Sequence, residues 1–180
     1  MPAIPTNTKY KLRAMEIIIR KVYSKHDLPF GLLLLADESM EVIEKYIYDS
    51  EVYVATENED SEAVAVFALL KINNSDIEIK NIAVAEALQN RGIGSLLISE
   101  IKRVAKVAKF ENVIVGTPDQ AVRQINFYEK NGFVKFDLKK DFFIKNYPAP
   151  IIANGVMLRD MVMLKAKISS RPQLQISILA

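Results

Sequence analysis

The chain has 180 residues, half of them hydrophobic and 26% charged, which is enough for one domain with a sizeable core and excludes a largely disordered chain. It has no cysteine and one histidine, His26, so a disulfide framework, a thiolate metal site and a histidine-rich metal centre are all excluded. A net charge of +2, with no basic run interleaved with aromatics, gives no reason to expect nucleic acid as a partner.

Residues 1–14 are polar, contain Pro2 and Pro5 and show no clear period. They read as a loose N-terminal arm, and they lack the apolar stretch of a signal peptide. Residues 15–168 read as the folded domain, and residues 169–180 as a C-terminal tail. The longest aliphatic run, Leu32 to Ala36, is too short to span a bilayer, so a soluble cytoplasmic protein with no membrane partner is expected.

Glu16 to Val22 is rich in Ile and Val and predicts the first strand. His26 follows in the polar stretch Ser24-Lys25-His26-Asp27, which reads as a surface loop. Leu32 to Tyr48 predicts one or two helices, with Asp37 as N-cap and Glu38 and Glu41 favourable in a first turn. Glu51 to Thr56 and Ala63 to Ile72 read as strands. The cluster Asn73-Asn74-Ser75-Asp76 is a turn, and Ile77 to Val84 returns as a strand, so the last two strands should pair as an antiparallel hairpin.

Beyond a glycine loop at Gln89 to Ser95, Leu96 to Lys109 predicts an amphipathic helix with Leu97, Ile101, Val104, Ala105 and Ala108 on one face. Asn112 to Gly116 is a short buried strand. Gln120 to Lys130 is a helix closed by Asn131-Gly132. Phe133 to Phe136 and Met157 to Lys167 complete the strands. The fold class is mixed α/β, with a largely antiparallel central sheet flanked by helices. The helix between the strands ending at Val84 and starting near Val113 makes that pair parallel.

The glycine loop carries the chemistry. Gly92 and Gly94 allow positive φ and close approach of a ligand to the backbone. The first N–H groups of the following helix have no internal acceptors, and the helix dipole adds about half a positive charge there. A phosphate or pyrophosphate is the natural guest. No Gly-Lys-Ser/Thr follows, so this is not a P-loop, and a dinucleotide fingerprint would need a third glycine.

In context, Ile82-Ala83-Val84 followed by Gln89-x-x-Gly92-x-Gly94 and an amphipathic helix resembles motif A of the GNAT superfamily of N-acetyltransferases. Asn126-Phe127-Tyr128-Glu129-Lys130-Asn131-Gly132-Phe133 resembles that family's Phe-Tyr-x-x-x-Gly-Phe segment. The resemblance runs from about Glu16 to Ile168, and segments from Asp141 to Met161 are similar to a little-characterised bacterial branch. It departs at Thr117-Pro118-Asp119-Gln120-Ala121, where many members place an Asn or Ser that touches the cofactor.

The resemblance implies acetyl-CoA as co-substrate, no metal, and transfer to a primary amine of a small molecule or peptide, with a homodimer left open. It implies cofactor contacts at Ile82, Ala83, Val84, Gln89, Asn90, Arg91, Gly92, Ile93, Gly94, Ser95 and Asn126. It implies that the backbone at Ile82 to Val84 splays from its neighbour and addresses the pantetheine and acetyl carbonyl. Tyr128 would protonate the departing thiolate.

A lysine-like amine spends about 4.6 kcal/mol reaching its free base at pH 7, so a base is useful. Glu78, on the strand leading to Ile82, is the first choice and Asp76 the second. For the amine, the long connection before the last strand offers Asp141-Phe142-Phe143 and Tyr147-Pro148-Ala149-Pro150, and the helical side offers Pro29-Phe30-Gly31 with Asp37, Glu38 and Glu41, carboxylates that would draw a cationic amine. Phe30, Phe143 and Tyr147 are the expected wall residues. Two rival readings share the cofactor residues: an acetyl-CoA-binding module without turnover, and an acyltransferase using another acyl-CoA.

Overall fold

The computed structural model describes residues 7–12, 15–37, 39–147, 149–153 and 155–168. Among the described residues ten strands are formed: β1 Asn7–Leu12, β2 Met15–Val22, β3 Glu51–Thr56, β4 Ala63–Lys71, β5 Asp76–Val84, β6 Asn112–Pro118, β7 Val134–Lys139, β8 Ile152–Ala153, β9 Val156–Met157 and β10 Met161–Lys167. The helices are α1 Phe30–Leu33, α2 Met40–Glu44, α3 Ile93–Val107, α4 Val122–Lys130 and α5 Phe142–Asn146. Eight strands make one sheet in the order β1-β2-β3-β4-β5-β6-β10-β7, and β8 and β9 form a separate hairpin. All neighbours in the large sheet are antiparallel except β5 and β6. The crossover between those two contains α3, and such connections are right-handed as a rule.

The period-2 pattern of the central strands buries both faces of the sheet. On one face Phe67, Leu69, Ile77 and Ile79 meet Leu97, Ile101 and Val104 of α3, with Ile125 and Tyr128 of α4 beside them. On the other, Val52, Val54, Val66 and Ala68 meet Leu33 of α1 and Ile43 of α2. Each such aliphatic side chain contributes roughly 1.5–3 kcal/mol of transfer free energy. Tyr53 and Phe67 are directly paired across β3 and β4 and stack with centroids 4.8 Å apart.

The strand β1 corrects the reading of residues 7–12 as a loose arm. Lys9 and Lys11 point outward while Thr8, Tyr10 and Leu12 turn inward, and the strand pairs with β2 from Asn7 to Leu12. Tyr10 donates to Glu100 Oε2 of α3, and Thr8 donates to Oε1 at 3.3 Å. Arg103 grips the same carboxylate with Nε and Nη2, both at 2.7 Å.

Three further boundaries move. The N-cap of α2 is Ser39, whose Oγ accepts from the Val42 N–H, and Asp37 is engaged elsewhere. Helix α3 begins at Ile93 rather than Leu96, because Gly92 serves as its N-cap at φ +93°. The last strand begins at Met161, because Val156 and Met157 belong to the small hairpin. The predicted stop of α4 stands: Gly132 sits at φ +82°, its N–H bonds Glu129 O, and the Phe133 N–H bonds Tyr128 O. Glu38, Pro148, Asn154, residues 1–6 and the tail 169–180 lie outside the described residues. No helix among the described residues is long and apolar enough to cross a membrane.

Candidate functional site

Strands β5 and β6 pair only over Asp76–Ile79 and Asn112–Val115. Beyond Ile79, β5 stays with β4, while Gly116, Thr117 and Pro118 of β6 stay with β10. The two strands part at a β-bulge in β5: Ile79 pairs with Leu69 and Asn81 with Ala68, which leaves Lys80 as the extra residue. A cleft of about 1240 Å³ opens between them.

The open edge of β5 supplies free backbone groups. The Ala85 N–H bonds Val64 O on β4, so by the alternation of an antiparallel ladder Ala83 also addresses β4. Ile82 and Val84 therefore turn their N–H and C=O groups toward the cleft. Gln89 agrees with this, since its Nε2 donates to Val84 O at 3.1 Å.

At one end of the cleft the glycine loop enters α3. Asn90 and Gly92 adopt φ of +61° and +93°, and among the described residues the N–H groups of Asn90, Arg91 and Gly92 make no backbone hydrogen bond. With the first N–H groups of α3 they form a row of donors at a positive helix end. Gly94 is small for a packing reason: a Cβ there would meet the Phe127 ring at 3.2 Å. That contact lets α4 lie close to the loop. Arg123 Nη2 donates to Asn90 Oδ1 at 3.0 Å, and Arg123 and Lys130 both line the cleft.

Of the expected cofactor residues, Ile82, Ala83, Val84, Gln89, Asn90, Gly92, Gly94, Ser95 and Asn126 line the cleft. The side chains of Arg91 and Ile93 do not: Arg91 is exposed and Ile93 is buried in the core under α3, so Ile93 has only its N–H to offer. Sequence reasoning missed Arg123 and Lys130. Their signal was the spacing of Arg123, Asn126, Phe127 and Lys130, one helical face of α4. It also missed Gly116 and Thr117, which line the cleft where the expected Asn or Ser is lacking.

Tyr128 lines the same cleft while packed edge-on against Phe127 and Phe133 at 5.3 and 5.5 Å. Burial pushes its phenol well above the ordinary value. Glu78 is not part of the lining. It lies on β5 before the bulge, part-buried, with Oε1 3.4 Å from Lys80 Nζ. Asp76 is bound at the hairpin turn by Asn73 and Asn112, which hold its carboxyl below the usual range.

At the other end of the cleft a polar cluster joins α1, α2 and β5. Tyr46 OH donates to Asp37 Oδ2 at 2.6 Å, and Asn81 Nδ2 donates to Tyr46 OH at 3.0 Å and to Leu33 O at 2.9 Å. Asp37, Lys80 and Asn81 all line the cleft. The expected amine wall is placed differently. Phe30 packs on the core beside Leu33, and Phe143 is buried between Phe142 and Tyr147, at 5.3 and 5.6 Å. Neither these two nor Tyr147 lines the cleft. The Asp141 carboxylate is held by Arg159 at 2.6 Å. The cleft wall comes instead from Leu34 and Leu35 after α1, and from Ala153, Val156 and Leu158 around the small hairpin.

Residues 48–135 match the model of the acetyltransferase (GNAT) domain. The chain is 36% identical over 139 residues to the uncharacterized N-acetyltransferase YvbK of Bacillus subtilis, covering 77% of this chain and 88% of that one. A crystal structure of a GNAT family acetyltransferase from Elizabethkingia anophelis with acetyl-CoA bound superposes with a TM-score of 0.78 at 37% identity, covering 84% of this chain and 97% of that one. A Bacillus subtilis acetyltransferase in complex with CoA superposes with a TM-score of 0.76 at 34% identity, covering 84% and 98%.

Proposed function

This chain belongs to the GNAT family of acetyltransferases, uses acetyl-CoA, and on that footing we propose that it moves the acetyl group to a primary amine by direct attack in a ternary complex. One observation carries the reading: a single cleft takes in the glycine loop, the open edge of β5, Tyr128 and the polar end at Asn81. Two partners entering from its two ends would meet without leaving it.

The residues present fit acetyl-CoA. The donor row from Asn90 to Ser95, with Arg123 and Lys130 at the same end, suits a pyrophosphate. The outward N–H and C=O groups of Ile82 and Val84 suit the amide-bearing arm and the thioester carbonyl, where a fixed N–H stabilises developing negative charge. Acetyl-CoA supplies the activated acyl group. Tyr128, kept protonated by burial, gives its proton to the departing sulfur as the C–S bond breaks, and regains one from solvent. Glu78 accepts the amine's proton through water, since its carboxylate stands outside the cleft lining.

The test is a turnover assay with acetyl-CoA and a panel of amines, backed by calorimetry. Tyr128→Phe keeps the packing and should lower kcat by roughly ten- to a thousandfold with acetyl-CoA affinity unchanged. Glu78→Gln should lose most near neutral pH and recover in part at high pH, where the amine is already free. Binding of acetyl-CoA with no amide formed from any amine would make the chain a binding module instead.

A further inference from the structure

We propose that Thr117 is a binding residue for the arm of the acyl donor, and that its hydroxyl bonds an amide of that arm on the side turned away from β5. The proposal rests on the acetyl-transfer reading and adds a residue to its donor site.

Thr117 is 6% exposed and lines the cleft. Among the described residues its hydroxyl has no hydrogen-bond partner. Thr56 Oγ1 and Asn81 Oδ1 are also unpartnered, but both are sealed from solvent. The Thr117 hydroxyl is not sealed, and the space it opens on is the cleft. A hydroxyl held by the sheet, short of a partner and within reach of a ligand is a prepared contact.

The sheet decides which ligand it meets. Val113 and Val115 of β6 pack in the layer under α3, and Thr117 follows them at the next alternate position. Its side chain therefore shares the face of α3, α4 and the glycine loop, whereas Asn81 turns to Leu33 of α1 on the other face. The register places it along the cleft as well. Ile79 is opposite Val115 where β5 and β6 last pair. Counting on through the bulge at Lys80 sets Thr117 across the cleft from Ile82, whose N–H and C=O face the same space.

The phosphates have their donors in the loop from Asn90 to Ser95, so what passes between Ile82 and Thr117 is the amide-bearing arm. In a trans amide the N–H and C=O point in opposite directions. An amide that bonds the edge of β5 with one group aims the other toward β6. The Thr117 hydroxyl meets it there, able to donate to a C=O or to accept from an N–H. The backbone of Thr117 cannot take this part. The Asp119 N–H bonds Asp160 O, so by alternation Thr117 turns its own N–H and C=O to Val162 of β10. The side chain is what this residue has to give.

The test is calorimetry on the full chain with acetyl-CoA and with ADP, which has the pyrophosphate and lacks the arm. Thr117→Val keeps the branched shape and removes the hydroxyl. It should weaken acetyl-CoA about tenfold, equivalent to ~1.4 kcal/mol, and leave ADP unchanged. Thr117→Ser keeps the hydroxyl and should stay within roughly threefold of wild type. Because the hydroxyl fastens nothing within the chain, the thermal midpoint of ligand-free Thr117→Val should equal or exceed that of wild type, whereas loss of a structural hydroxyl would lower it. Wild-type acetyl-CoA affinity in Thr117→Val overturns the proposal. So does an equal loss for ADP, a lowered midpoint, or a serine variant as weak as the valine one. All of these are read without turnover. Wild-type protein that binds acetyl-CoA and acetylates no amine overturns the transfer reading alone.

Discussion

Two buried polar clusters sit on opposite faces of the sheet, each built on a tyrosine that donates to a carboxylate. In the cluster of Tyr10, Glu100 and Arg103, with Thr8, both carboxylate oxygens are taken by side chains from β1 and α3. In the cluster of Asp37, Tyr46 and Asn81, one amide oxygen is left over. The first is closed and joins two elements across 90 residues of chain. Asp37 and Asn81 of the second line the cleft. The chemistry is nearly the same, and the contrast lies in how completely each cluster is hydrogen-bonded.

The largest expected effect breaks the closed cluster. Glu100→Ala strands Arg103 and two hydroxyls, and should cost about 3 kcal/mol, at the low end for a buried pair because Arg103 is 30% exposed. Urea unfolding measures it, and acetyl-CoA affinity should not change. A matched pair of smaller changes sharpens the comparison. Tyr10→Phe should cost about 1–2 kcal/mol of stability and leave amine KM as it was. Tyr46→Phe takes the hydroxyl from both Asp37 and the buried Asn81 amide, so it should cost at least as much, about 1–3 kcal/mol, and, on the proposal that the acceptor enters at this end of the cleft, raise amine KM several-fold. Equal effects of the two on KM would erase the distinction drawn between the clusters.

Much of the fold was legible because its signals are local. Runs rich in Ile, Val and Ala marked β2 to β6, the 3.6-residue period marked α3, and Asn131-Gly132 marked the end of α4. Strand β1 was also written in the sequence, as Tyr10 and Leu12 alternating with Lys9 and Lys11. The pattern is short, and what secures it is Glu100, far along the chain. The glycine-loop end of the cleft was legible for the same reason as the fold, since a loop and the helix it opens are contiguous. The polar end was legible only in part. Asp37, Tyr46 and Asn81 come from three elements and meet only after the sheet has formed. Asp37 read both as a cap and as one of the carboxylates for a cationic amine, but nothing in its neighbourhood announces Tyr46, and Phe143 read as a wall because an aromatic's period does not say whether it faces core or cleft.

The bulge at Lys80 gives β5 two phases. Ile77 and Ile79 face α3, and beyond the extra residue Ile82 and Val84 take over that face while Asn81 and Ala83 turn to the other. The apolar spacing of two therefore skips to three between Ile79 and Ile82. One strand can then keep a core-facing row throughout and still choose independently what it shows beyond the skip. A single-residue deletion at Lys80 would merge the phases without turning any downstream residue over: Ile82 and Val84 would follow Ile77 and Ile79 toward α3 in plain alternation, Asn81 and Ala83 would keep the other face, and only the irregularity at which β5 parts from β6 would be lost.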